Sequence, residues 1–202
     1  EAGTAVACGT GTAYSALKKT GASGNDTIAV FGQGPVGLSA TMIGAGMGAR
    51  VIAIDVAPYR LELAKKLGAA EVVNASDGDA VAAVKDLTGG EGAEVTIECV
   101  ADPSVRVQAV ESTKVFGSAC FLGEGGGVSF DDVSRQIMHK LLTIHGSWTF
   151  PTWMLEEAAN WIISRNLPIE DLITDRFSLD QAQEAYKVFQ EGRTGKVVFV
   201  WD

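Results

Sequence analysis

Thr27-Ile28-Ala29-Val30-Phe31-Gly32-Gln33-Gly34-Pro35-Val36-Gly37-Leu38 is the stretch whose reading decides the fold. Residues 27–31 are β-branched and apolar, the composition of a buried strand. Leu38 to Met47 is small and apolar and suits a packed helix. Between them stand Gly32, Gln33, Gly34, Pro35, Val36 and Gly37, a G-x-G-x-x-G at a strand-to-helix turn. In that setting the motif is a dinucleotide fingerprint. The first glycine permits a sharp turn, the second lets the backbone approach a pyrophosphate, and the third lets the helix pack closely on the strand. The free N–H groups at the helix start, at the positive end of its dipole, then face the phosphates.

A lone glycine pattern is weak evidence, so the flanks decide. A second strand, Arg50-Val51-Ile52-Ala53-Ile54, ends at Asp55. An acid about 20 residues beyond the glycines is the acceptor that a ribose 2′-hydroxyl needs. The bland alternative is a glycine-rich turn with Asp55 as a surface charge. The arrival of strand, glycines, helix, strand and acid in that order weighs against it.

Strand and helix go on alternating. Pro58 opens a helix with Leu61, Ala64 and Leu67 on one face, and Glu71-Val72-Val73 is a third strand. A helix over 80–87, a fourth strand over 95–100, a helix near 104–113 and a fifth strand over 117–122 follow. A helix through Val133, Ile137 and Met138 leads to a sixth strand over 142–146. This pattern predicts an α/β fold, a doubly wound parallel six-stranded sheet of order 3-2-1-4-5-6. Ligands of such sheets lie across the carboxyl ends of the strands at the order reversal. The loops Glu98 to Ala101 and Leu122 to Gly125 end strands there, so Cys99, Val100, Ala101, Leu122, Gly123 and Glu124 are expected to line a cofactor cleft. Upstream, Glu1 to Lys19 reads as the end of one element, a turn at Gly9-Thr10-Gly11, and a helix through Ala13, Ala16 and Leu17. Downstream, the tail reads as a helix over 151–165, a Ser178 N-cap before a second helix, and a last strand, Lys196 to Val200, in another layer or domain. The expected division is 1–24, 25–150 and 151–202.

Composition narrows the partners. The 202 residues suffice for one large domain or one domain with an appendage. Sixteen Lys and Arg against 25 Asp and Glu give a net charge of −9, which argues against nucleic acid and anionic membrane as partners. An anionic cofactor must then be held by local N–H groups and a few cations. No apolar run approaches the roughly 20 residues of a membrane span. Cys8, Cys99 and Cys120 have no paired or zinc-ribbon spacing, which fits reduced thiols in a cytoplasmic protein. The chain begins at Glu1 without methionine and reads as the middle of something, so a fragment or processed product is expected.

With these motifs in place the chain resembles the zinc-dependent medium-chain alcohol dehydrogenases over essentially its whole length. Cys8-Gly9-Thr10-Gly11-Thr12-Ala13-Tyr14 looks like the segment that bears the third catalytic zinc ligand, at Cys8, and the nicotinamide-contacting threonine, at Thr12. Gly32 to Gly37 matches the family's pyrophosphate loop, Asp55 its ribose acid and Arg60 the basic residue beside the adenosine. Pro58-Tyr59-Arg60-Leu61-Glu62-Leu63-Ala64-Lys65-Lys66-Leu67-Gly68-Ala69 is typical of the family. So is the tail from Phe177 through Glu191-Gly192-Arg193-Thr194-Gly195-Lys196, where Lys196 matches a residue that reaches the pyrophosphate.

The resemblance implies a two-domain oxidoreductase: a GroES-like catalytic domain, the nucleotide domain, and last residues that return to the catalytic domain. It implies NAD, a catalytic zinc held by cysteine, histidine and cysteine, an alcohol or carbonyl substrate, and a homodimer or higher homo-oligomer. It also implies that this chain lacks nearly all of the first domain, with two of the three zinc ligands. One cysteine cannot make a tetrahedral site. Cys8 and Asp55 argue against the zinc-free quinone-reductase relatives, and a non-catalytic dinucleotide-binding module is the alternative outside enzymes. Cys99 and Cys120 are expected mid-strand in the core, His139 and His145 as structural residues, Trp148, Trp153 and Trp161 in core or interface, and Asp131-Asp132 and Glu156-Glu157 as solvated helix-start charges.

Overall fold

The chain enters the fold as helix. In the computed structural model, which describes residues 1–201, α1 (Ala2–Ala5), a π-helical turn (Val6–Thr10) and α2 (Gly11–Thr20) run on without a break. The expected turn at Gly9-Thr10-Gly11 is absent. Thr10 and Gly11 both hold right-handed helical angles. Gly11 is needed instead for packing, because a Cβ there would strike the ring of Phe150.

The alternation then unfolds as β1 (Thr27–Phe31), α3 (Pro35–Met47), β2 (Arg50–Asp55), α4 (Pro58–Lys66), β3 (Glu71–Asn74), α5 (Ala80–Leu87) and β4 (Ala93–Glu98). After these come α6 (Pro103–Ser112), β5 (Thr113–Phe121), a short π-helical turn (Ser134–Met138) and β6 (Thr143–Gly146). All six strands are parallel, in the order β3-β2-β1-β4-β5-β6. The order reverses between β1 and β4, so the loops after both strands open at the switch point.

The sheet is apolar on both faces, as a doubly covered parallel sheet requires. Ile28, Val30, Val51, Ala53, Val95, Ile97 and Cys120 pack with α2, α3 and, from the tail, Met154 and Ala158 on one face. Ala29, Phe31, Ile52 and Ile54 pack on the other with Ala80 and Val84 of α5 and Ala109 of α6.

The tail contributes α7 (Met154–Ser164), β7 (Ile173–Phe177), α8 (Ala182–Gln190) and β8 (Lys196–Phe199). β7 and β8 pair with each other, parallel, in a separate two-stranded sheet. Ser178 and Gln181 form a capping box just ahead of α8. Glu157 in the first turn of α7 accepts from the Tyr14 hydroxyl at 2.8 Å and from Lys18 Nζ at 2.5 Å. It therefore ties α7 to α2 rather than standing as a solvated charge. Trp161 packs on the core, whereas Trp148 and Trp153 are exposed in this chain.

Candidate functional site

The glycine turn is built to stay open. Gly32 has φ +88°, in the left-handed region, and a Cβ there would lie 2.5 Å from Val100 Cγ2. A Cβ on Gly37 would strike the carbonyl oxygen of Gly32, so the helix cannot start where it does with any other residue. Gly34 is different: a Cβ there meets nothing within 4 Å. Its missing side chain leaves space on the open side of the turn. Pro35 occupies the first turn of α3, and no side chain caps the N-terminus of this 13-residue helix. Its first N–H groups and the positive end of its dipole are free for an anion.

Two buried polar networks hold the turn from beneath. Gln33 is fully buried. Its amide donates to Val30 O at 2.9 Å and accepts from Thr41 Oγ1 at 2.8 Å. Thr10 and Ser39 hydroxyls meet at 3.0 Å, and Ser39 donates to Pro35 O at 2.7 Å. The second network fastens the π-helical turn that carries Cys8 to the first turn of α3.

Asp55 ends β2 beside the turn. Oδ2 accepts from Gln33 N at 2.5 Å, Oδ1 accepts from Ala57 N at 2.8 Å, and Arg60 Nη1 lies 4.0 Å from Oδ2. A carboxylate has about four acceptor positions, so two remain. Arg60 Nε is buried without a hydrogen-bond partner among the described residues. Gly32, Gly34, Asp55, Arg60, Cys99 and Val100 all line one cavity of about 290 Å³.

A second cavity, of about 250 Å³, continues past Val36 and Cys99 to Leu122, Gly123, Glu124, Cys8 and Thr12. Thr12 Oγ1 donates to Cys8 O at 2.9 Å, which leaves its lone pairs free. Cys8 is exposed. Lys196, the first residue of β8, reaches this region from the far end of the chain and shares a third cavity with Cys8, Pro35 and Val36. No group of three or more His, Cys, Asp or Glu side chains that could hold a metal occurs among the described residues. Cys8 alone does not fit a tetrahedral zinc.

Cys99 departs from its mid-strand expectation. β4 stops at Glu98, and Cys99 begins the loop, half-buried between the first two cavities. Burial, then the Glu98 carboxylate and Cys120, push its thiol well above the ordinary range, so it stays protonated at neutral pH. Cys120 is in the core, as expected, and burial pushes its thiol to about 12.

The sequence reading overlooked the side chains of Glu98 and Arg106. Glu98 is fully buried. Its Oε1 accepts from Val100 N and Ala101 N, both at 2.6 Å, and its Oε2 lies 3.4 Å from Arg106 Nε. A charge at the end of the apolar run Val95-Thr96-Ile97 demands a buried partner. That was the available signal.

The geometry puts an acid, an uncapped helix start and a second cavity in one line across the strand ends. Comparison with known proteins agrees. Residues 35–164 match the family model described as zinc-binding dehydrogenase. The chain is 38% identical over 200 residues to an uncharacterized zinc-type alcohol dehydrogenase-like protein of Escherichia coli K12, covering 98% of this chain and 56% of that protein. It is 33% identical over 180 residues to an L-threonine 3-dehydrogenase of Shewanella baltica, covering 88% and 52%. The fold superposes on an alcohol dehydrogenase from Thermus sp. ATN1 with a TM-score of 0.85 at 28% identity, over 96% of this chain and 56% of that one. The chain thus spans about half the length of the curated relatives it matches. Over that half, motif, fold and matched length agree: the chain belongs to the zinc-binding dehydrogenase family.

Proposed function

We propose that the chain is the NAD(H)-binding part of a zinc-type alcohol dehydrogenase. The observation that carries this reading is the Asp55 carboxylate, buried at the end of β2 with acceptor positions left over beside the open face of Gly34. Asp55 accepts from the adenosine ribose, Arg60 flanks it, and the turn from Gly32 to Gly37 presents N–H groups to the pyrophosphate. Gln33 holds the turn from below, and Lys196 supplies a cation from the tail. Val100 and Ala101 cover the adenosine side; Leu122, Gly123 and Glu124 wall the nicotinamide side, with Thr12 opposite. Bound NAD(H) supplies the hydride acceptor or donor, so the reaction interconverts a small alcohol and its carbonyl.

Cys8 is the chain's candidate zinc ligand, and a complete site needs further ligands. The purified 202-residue chain is expected to bind NADH and show no chelator-sensitive alcohol oxidation. Residues 25–150 carry the dinucleotide-binding sheet, α2 and α7 pack on it and go with that unit, and the separate two-stranded sheet of β7 and β8 is the part of the tail that returns to a catalytic domain. The three free thiols suit a reducing cytoplasmic setting. No helix among the described residues is long and apolar enough to cross a membrane. A homodimer through the β6 edge completes the reading.

Calorimetric titration with NADH and NADPH tests it. Tighter binding of NADH is expected. Binding of neither cofactor would leave the cleft without the assigned ligand.

A further inference from the structure

One guanidinium gathers the glycine-rich loop that follows β5. Arg106 Nη1 donates to Gly126 O and Gly127 O at 2.9 and 3.0 Å. Its Nη2 donates to Gly123 O and Gly125 O at 2.8 and 2.5 Å. Four carbonyls of one segment thus converge on one buried side chain. The planar fork can satisfy them together because its donors are fixed and divergent, which a lysine ammonium does not reproduce.

The other side of Arg106 is Glu98, which bridges both strand-end loops. Its carboxylate takes the N–H groups of Val100 and Ala101, while its backbone carbonyl accepts from Leu122 N at 2.8 Å and Gly123 N at 3.1 Å. Ala101 sits at φ +73°, an uncommon conformation for a residue with a Cβ, and the two bonds to Glu98 hold it there. The loops then lie backbone on backbone: a Cβ on Gly126 would fall 2.8 Å from Ala101 O, and one on Gly123 would strike Ala101 N.

We propose that Glu98 and Arg106 form a buried brace that sets the nicotinamide-side wall of the cleft, and that Arg106 is a positioning residue for the nicotinamide half of the dinucleotide. Arg106 lines neither cleft cavity, so it acts through the loop. The segment it holds, with Gly123 and Glu124, lines the second cavity and not the one beside Asp55. Gly125, Gly126 and Gly127 stand in sequence, the first two at positive φ, and among the described residues Arg106 makes the only hydrogen bonds to them, whereas Gly123 N is also held by Glu98 O and the Glu124 carboxylate by Trp148 Nε1 at 3.3 Å. The proposal rests on the dinucleotide reading of the cleft.

The test compares NADH with 5′-AMP, which reaches only the Asp55 side. Affinities are measured for the full chain, Arg106→Lys and Arg106→Met, together with ligand-free hydrogen exchange of the amides in 123–127. Arg106→Lys keeps a cation beside buried Glu98, which guards against simple misfolding. In both variants faster exchange in 123–127 is expected, with NADH affinity reduced about tenfold or more in Arg106→Met and less in Arg106→Lys, while 5′-AMP affinity stays within about twofold. Parallel loss of NADH and 5′-AMP binding would mean a merely structural role and overturn the proposal. Unchanged loop exchange, unchanged NADH affinity, or full rescue by Arg106→Lys would overturn it as well. If the unsubstituted chain bound neither ligand, the reading of the cleft would fail first and take the positioning role with it, a result seen before any substitution is made.

Discussion

Gly34 and Gly37 belong to one motif and are glycine for different reasons. Gly37 is packed against the Gly32 carbonyl, so Gly37→Ala must move the helix start or the turn. A cost of about 1–3 kcal/mol is expected, read as a lower unfolding midpoint without any ligand. Gly34 has φ −71° and open space where its Cβ would be, so Gly34→Ala should fold with unchanged stability. The added methyl should instead weaken NADH binding, because it occupies the approach to the α3 N-terminus. A Gly34→Ala protein that binds NADH as tightly as the parent would place the phosphates elsewhere. Asp55 carries the choice between cofactors. A 2′-phosphate would bring a second negative charge within roughly 4 Å, costing about 4 kcal/mol at an effective dielectric near 20. Solvent at the rim reduces this to a preference of roughly 1–3 kcal/mol for NADH. Arg60 pulls the other way, but its guanidinium already stands 4.0 Å from Asp55, and its charge is partly spent there. Asp55→Ala should therefore narrow the gap mainly by raising NADPH affinity. Because Asp55 also holds Gln33 N and Ala57 N, Asp55→Asn, which keeps an acceptor without the charge, is the companion variant. NADPH affinity that moves in neither variant would remove Asp55 from the ribose site.

The elements are joined at their edges by charges that the sequence did not advertise. Glu94, at the start of β4, accepts from Thr27 N of β1 at 2.8 Å and from Lys114 of β5 at 2.5 Å. Partial burial pushes the Glu94 carboxyl up, but the Lys114 ammonium and the Thr27 N–H outweigh it and hold the carboxyl below its ordinary value. A lowered folded value means that the contribution is complete above the unfolded value of 4.5 and is lost as pH falls through the folded one. Glu94→Gln should cost roughly 0.2–1 kcal/mol at neutral pH, the pair being partly solvated. The gap between parent and variant should close below about pH 4.5 in urea titrations, and a gap independent of pH would exclude this origin. What was legible at this scale follows the same physics. Buried parallel strands are continuous apolar runs, so β1, β2 and β4 stood out, and the glycines and prolines between them marked the turns. β7 escaped because Asp175 and Arg176 break its apolar run, and its partner β8 lies about 20 residues further along the chain. The helical continuity through Gly9 to Gly11 escaped because the demand for glycine there comes from Phe150, far away in the sequence. The brace of Glu98 and Arg106 escaped for a related reason: its acceptors are backbone carbonyls, which leave no trace in residue types.

On the scale of the molecule the sheet ends in two edge strands, β3 and β6. β6 is its last strand, with only β5 beside it. Around it Phe116, Val115, Met138, Leu141 and Ile144 are all exposed, Phe116 at 77%. An apolar strand edge with free N–H and C=O groups is a pairing hazard unless something covers it. β6 is short, but no proline or lysine stands within Thr143–Gly146 to blunt it. The net charge of −9 opposes close approach of two copies, yet the edge itself carries only His145 as an ionisable group, and burial together with Lys19 pulls that imidazole below its ordinary value and favours the neutral form. Repulsion is therefore spread over the rest of the surface, where salt screens it. A symmetric dimer that continues the sheet through β6 is the arrangement these features favour. Sedimentation at tens-of-micromolar concentration should show a dimer, on the order of specific association. Ile144→Lys, which places a charge on the exposed edge, should shift it to monomer and leave NADH binding unchanged, since residue 144 lines neither cleft cavity. A parent chain that remains monomeric under these conditions, or an Ile144→Lys protein that still dimerises, would move the interface away from β6.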